Sequence, residues 1–232
     1  MIFLFVTILT YGLYKLAKQL TKKVDFPLFH PLLLTPALLI GAIFTLNISV
    51  SDYTEGAFLL THMLGPATIA FAIPVYKHLS VLKKHIGLIL ISVTAGSLIA
   101  IFSSFGLAIL LKMEHHFLIS LLPRSITTPL AMEVSTGIGG QPSLTIIFVI
   151  MTGILGGVMG PAVFKLFGVK SPIAKGLALG MSAHAVGTNR AIEYGEEATT
   201  FSTLAMILAG VITILIFEAV PVTSRFLLFF VN

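Results

Sequence analysis

Three uncharged runs, residues 86–111, 143–164 and 199–217, most constrain what this chain can fold into. Each approaches or exceeds the roughly 20 residues that an α-helix needs to cross the hydrocarbon core of a bilayer. A backbone in lipid must satisfy its own hydrogen bonds, so such runs fold as helices or as a closed barrel. The period-two alternation of barrel strands is absent. The whole chain shares this character, with 56% hydrophobic and only 10% charged residues. The expectation is therefore an all-α, polytopic transmembrane helix bundle that forms a single integral membrane domain over residues 1–232.

The charges orient the bundle. Lys and Arg number fourteen and the net charge is +5, a balance that alone could suggest a nucleic-acid partner. Most of these cations, however, lie in three short connections: Lys15, Lys18, Lys22 and Lys23; Lys77, Lys83 and Lys84; and Lys165, Lys170 and Lys175. Cations grouped between apolar runs mark cytoplasmic loops, and no nucleic acid is implied. The first span then starts outside and ends at Lys15. The second, residues 32–50, is entered through the proline-rich stretch 26–36, and Asp52 and Glu55 mark an outer loop. Residues 143–164 cross inward and 176–191 outward, which places Glu193, Glu196 and Glu197 outside. Residues 199–217 return to a cytoplasmic C-terminus near Arg225. This gives about seven crossings plus one re-entrant element in a cell (inner or plasma) membrane. Residues 1–14 lack a basic leader and a small-residue cleavage motif, so they read as a retained span. With no cysteine, disulfides, thiolate metal sites and cysteine nucleophiles are excluded.

Three stretches break the pattern of plain spans: residues 62–78, 121–143 and 176–197. The first carries Pro66 and Pro74, which remove backbone donors. The second carries Pro123, Pro129 and the cluster Gly137, Gly139 and Gly140, and is expected to dip into the membrane and return. The third combines Gly176, Gly180 and Gly187 with Ser182, His184, Thr188, Asn189 and Arg190, and has too many glycines for a stable helix; a break is expected between Gly180 and Gly187. Irregular backbone at membrane depth is tolerated only where protein or a water-filled cavity covers it. A register that sets Pro66 against Pro123 also aligns Gly96, Gly153 and Gly210, the kind of internal repeat that secondary transporters show. Taken literally it would run all three plain spans in one direction, against the lysines that follow Phe164, and the charges carry more weight.

Arg124, followed by Ser125, Thr127 and Thr128, is either a ligand-binding cation or an interfacial arginine that reaches the headgroups. Glu133 is either its structural partner, or that of Arg190, or the proton-carrying carboxylate of a coupled transporter. His184 either bridges two helices or donates to an anion. Ser182, Thr188, Asn189 and Arg190 complete the candidate substrate-binding set, although Arg190 could equally end its helix against Glu193. Glu114, His115 and His116 make a poor metal signature, and no metal or other cofactor is expected. Ser182 and His184 distantly resemble an intramembrane hydrolase pair, but near-neighbours on a helix do not face each other, so no enzyme is expected. No phosphate-cradling loop for ATP is present.

The stretches RSITTPLAMEVSTGIGG, IAKGLALGMSAHAVGT and LGPATIAFAIPVYK together resemble the signatures of the LrgB/CidB family, in the right order and over essentially the whole chain. That resemblance implies one of two functions. Bacterial members are named antiholin-like or holin-like and are linked to murein hydrolase control and lysis, beside a small LrgA/CidA-type membrane protein. Related members, including plastid translocators, carry small monocarboxylates such as glycolate, glycerate or pyruvate, and the interrupted helices beside Arg124, His184 and Arg190 make a carrier of this class the leading expectation. The glycine face Gly153, Gly156, Gly157 and Gly160 offers either a homo-oligomer contact or internal helix packing.

Overall fold

A computed structural model describes residues 2–23, 31–70 and 72–218. All regular structure among them is helical. The chain packs as two compact units, residues 1–70 and 71–232.

In the first unit, α1 (Ile2–Lys23) packs against α2 (Pro31–Thr45), α3 (Val50–Gly56) and α4 (Phe58–His62), and α5 (Leu64–Ala70) follows. Val6 is fully buried, and Thr10 Oγ1 lies 3.0 Å from the Tyr53 hydroxyl. Phe3, Phe5 and Ile8 on α1 face outward, as lipid-facing side chains do. The expected second span over residues 32–50 is shorter here, because α2 stops at Thr45 and Asn47 takes a positive φ. Residues 24–30, which include the start of the expected proline-rich entry 26–36, lie outside the described residues, as does Arg225.

The second unit contains α6 (Ala72–Lys77), α7 (Leu79–Leu110), α8 (His115–Leu121), α9 (Thr128–Gly137), α10 (Pro142–Leu166), α11 (Pro172–Ala191), a single 3-10 turn and α12 (Glu196–Glu218). Prolines explain the restarts. Pro66 and Pro74 each fall in the first turn of a short helix, α5 and α6, where no intrahelical donor is required. Among the described residues, α7, α10 and α12 are long and apolar enough to cross a membrane. α7 bends at His85 (φ −115°, ψ 17°), so its apolar part begins where the uncharged run begins. Only 22% of the apolar windows of α7 and α10 is buried, against 56% for α12, which makes α12 the central helix of the unit. Its Phe201 and Leu204 join Ile89 and Val93 of α7, Leu118 of α8 and Val149 of α10 in one core.

Between these helices the chain makes two hairpins. Ser120 of α8 and Ser135 of α9 meet at Thr145 of α10, whose hydroxyl lies 3.0 Å from the Ser120 carbonyl and 2.7 Å from Ser135 Oγ. The chain therefore reverses at residues 122–127 between α8 and α9, each of which packs on α10, the backbone course that a dip into the membrane requires.

The second hairpin corrects an expectation. Residues 176–191 do not cross. At His184 the backbone leaves the helical region (φ 43°, ψ −128°), and Gly187 comes back against the Leu179 carbonyl. Two helical turns apart in a straight helix, Leu179 and Gly187 would be separated by about 12 Å. Further along, Lys175 Nζ sits 4.6 Å above the Tyr194 ring, so both ends of α11 lie together. Tyr194 thus stands at the lysine-bearing end of α10, and α12 starts from that end rather than from the opposite one. The physical reason is that the glycines which break the helix also allow its arms to close, a choice that small-residue content alone does not reveal. Seven crossings are not what these elements give. Gly96, Gly153 and Gly210 do fall in α7, α10 and α12, but Pro66 lies within a helix and Pro123 within a turn, so the elements ahead of them do not repeat.

Candidate functional site at the two hairpin tips

The hairpins enter from opposite ends of α10, and their tips reach the same turn of it. At the first tip, Arg124 Nε donates to Ser104 Oγ of α7 at 2.8 Å, and Nη1 reaches Thr152 Oγ1 of α10 at 3.4 Å. At the second, His184 Nε2 lies 3.0 Å from the Val149 carbonyl of α10. A guanidinium carries five donors, and these contacts occupy two of them. Among the described residues no carboxylate pairs with Arg124. The site is thus a half-buried cation set among neutral hydroxyls, the arrangement expected where an anion completes the charge.

Local sequence builds each tip. Pro123, just past the end of α8, has no N–H to donate to a further helical turn, and Pro129 lies in the first turn of α9. Thr127, the N-cap of α9, is buried, yet its hydroxyl caps nothing and has no hydrogen-bond partner among the described residues. It lies three residues after Arg124 in the chain. Ser125 is buried beside it and Thr128 is partly exposed. At the other tip, Thr188 Oγ1 donates to the His184 carbonyl at 3.0 Å and lies 3.0 Å from Ser202 Oγ of α12. The helix is broken and then stitched to its neighbour.

Glycines set the depth of the second hairpin. β-Carbons at Gly176 and Gly180 would collide with the Ala198 and Ser202 carbonyls of α12. Gly153, Gly156 and Gly160 of α10 lie against His184, Ala183 and Leu179 respectively. The glycine face of α10 is therefore filled from within by α11.

A family model described as the LrgB-like family matches residues 10–222. The chain belongs to the LrgB-like family. It is 45% identical over 212 residues to the uncharacterized protein YwbG of Bacillus subtilis (strain 168), covering 91% of this chain and 92% of that one. It is 38% identical over 195 residues to the antiholin-like protein LrgB of the same organism, covering 84% of each chain. It is 32% identical over 206 residues to the holin-like protein CidB of Staphylococcus epidermidis (strain ATCC 12228 / FDA PCI 1200), covering 89% and 90%. No solved structure matches.

In this LrgB-like protein the sequence-derived candidates divide. Arg124, Ser125, Thr127, His184 and Thr188 belong to the tips. Arg190 stands at the foot of the second hairpin, in an ion pair with Glu193, and Asn189 is exposed beside it. Ser182 is exposed and donates to the Ala178 carbonyl at 2.6 Å, so it forms no pair with His184. Glu133 is exposed on α9 and, among the described residues, makes no ion pair with Arg124 or Arg190. No group of three metal-ligating side chains occurs among the described residues. Sequence reading passed over Ser104 and Thr152, the hydroxyls that hold Arg124. The available signal was a polar side chain in the middle of each of two apolar runs.

Proposed function

We propose that this LrgB-like protein is a multi-pass bacterial plasma-membrane protein of the holin-like or antiholin-like kind, which changes membrane permeability and through it murein hydrolase activity and lysis. The supporting observation is that its relatives bearing those names are similar over more than four-fifths of both chains. The outward apolar surface of α7 and α10 suits lipid or a further membrane subunit. A small LrgA/CidA-type membrane protein is the partner that family membership suggests. In this reading the lysine-bearing ends of α7 and α10 face the cytoplasm.

A second reading is favoured by one specific feature, the acid-free Arg124 at the meeting point of two broken elements. It makes the protein a carrier for small monocarboxylates such as pyruvate, glycolate or glycerate, with the anion held near the bilayer midplane. A guanidinium presents two parallel donors to a carboxylate, which lysine cannot do.

One experiment separates the two. Liposomes containing the protein, with and without the small partner, are assayed for dye leakage and for uptake of labelled monocarboxylates. Leakage indifferent to solute charge supports the holin-like reading. Saturable uptake competed by unlabelled carboxylate, and lost in Arg124→Lys at matched protein levels, supports the carrier. Neither leakage nor uptake above empty liposomes in any combination would refute both.

A further inference from the structure

Where α10 ends, Phe164, Tyr194, Lys165, Lys170 and Lys175 are among the residues that line a surface cavity of about 320 Å³. We propose that this cavity is a binding site for the phosphate group of an anionic membrane phospholipid. It is separate from the hairpin tips and rests, of the proposed function, only on the orientation that puts the lysine-bearing end of α10 at the cytoplasmic face.

The charge pattern comes first. Three lysines line one cavity, and among the described residues none of them is in an ion pair. Glu193, the acid next to Tyr194, is taken by Arg190. Like charges grouped around one cavity repel, and a counter-anion among them relieves that repulsion. The geometry is that of a receptor. The Tyr194 ring packs edge-on against Phe164 with centroids 5.7 Å apart and receives Lys175 on its face, so that cation is held by the aromatic wall and does not sweep freely.

Location identifies the source of the phosphate. These lysines belong to the group that marks the cytoplasmic side, at the end of a helix long enough to span the membrane. Headgroups lie at that level, and basic pockets between helices on the cytoplasmic side suit anionic lipids. Directly beside the cavity, Leu166 is 79% exposed and Phe167 74% exposed, which gives acyl chains an apolar surface. A soluble phosphate compound would make no use of that surface.

The site also has a mechanical consequence. Lys165 is on α10, Lys170 lies in the connection, Lys175 is on the first arm of α11 and Tyr194 follows the second arm. One phosphate between them would fasten both feet of the second hairpin to α10.

The test uses the full chain in nanodiscs of phosphatidylcholine alone or mixed with phosphatidylglycerol, reading lipid retention by native mass spectrometry and the melting temperature. Phosphatidylglycerol is expected to be retained and to raise the melting temperature. Replacing Lys165, Lys170 and Lys175 with Gln should weaken retention by about fivefold for each lysine removed. The corresponding Arg replacements should keep it, and Lys170→Gln alone, in an exposed connection, serves if the triple variant folds poorly. Lys83→Gln with Lys84→Gln lowers the charge of the same membrane face elsewhere. An equal loss in that control would overturn the site in favour of general surface attraction. Wild-type retention in both Lys170→Gln and the triple variant would overturn it outright. Glycerol phosphate stabilising the protein in pure phosphatidylcholine as strongly as phosphatidylglycerol does would overturn the lipid assignment.

Discussion

His184 carries the sharpest local conflict in the chain. Among the described residues three non-glycine residues have positive φ, and two of them, Asn47 and Lys112, lie just beyond helix C-termini, where the left-handed region is a common stop. His184 is different, because its ψ of −128° puts it in a region that side chains rarely enter. Such a conformation costs on the order of 1–3 kcal/mol and persists only where the surroundings hold it. Here the bond to the Val149 carbonyl and the Thr188 hydroxyl on the His184 carbonyl do so. Alanine at this position would lose the imidazole bond, worth about 1 kcal/mol, and keep the backbone strain. Glycine would lose the same bond but relieve the strain. We therefore expect His184→Gly to melt above His184→Ala in detergent, the reverse of the roughly 1 kcal/mol advantage that alanine has inside a regular helix. Alanine proving the more stable would mean that the chain does not turn at this residue.

At the scale of elements, the second hairpin depends on backbone contact with its neighbours. Gly180 meets the Ser202 carbonyl of α12, a backbone atom that cannot swing aside. Gly180→Ala should therefore push α11 from α12 and cost about 1–3 kcal/mol, as overpacking does. Gly106 on α7 has nothing within 4 Å of its would-be β-carbon, so Gly106→Ala should stabilise by about 0.4–1 kcal/mol. Thermal melts of the two variants in one detergent check the contrast in sign. Much of this was legible in the sequence. Gly180 and Gly187 bracket the break, Pro123 falls in the turn of the first hairpin and the glycines 137, 139 and 140 at its end, and the uncharged runs match α10, α12 and the part of α7 after its bend at His85 within about three residues. The direction taken after the break was not legible. A small-residue segment as long as α11 has the composition of a polar crossing helix and of two short packed arms alike. Only the distant contacts of Lys175 with Tyr194 and of Gly187 with Leu179 distinguish them. Arg190 was grouped with His184 for the same reason, since nearness in sequence was read as nearness in space.

For the whole molecule, the hairpin changes which groups share a membrane face. If residues 176–191 crossed, Lys170 and Glu197 would lie on opposite sides of the bilayer. With α11 folded back, Tyr194 rests on Lys175 and Phe164, and Glu197, in the first turn of α12, lies at the same end as Lys170. The chain contains no cysteine, so single cysteines can be introduced without background. Both positions are exposed, so a thiol at either meets reagent directly. We expect Lys170→Cys and Glu197→Cys to be labelled by a membrane-impermeant maleimide only from the cytoplasmic face, in inside-out vesicles and not in intact spheroplasts. Lys112→Cys, exposed after the far end of α7, should show the opposite pattern. Labelling of Glu197→Cys from the outside, with Lys170→Cys labelled from the inside, would restore a crossing at residues 176–191 and separate Tyr194 from Lys175. The Lys112 control guards against leaky vesicles, since a broken membrane labels all three positions from both sides. A shared face for Lys170 and Glu197 also fixes the path of α12, which then leads away from the cytoplasm.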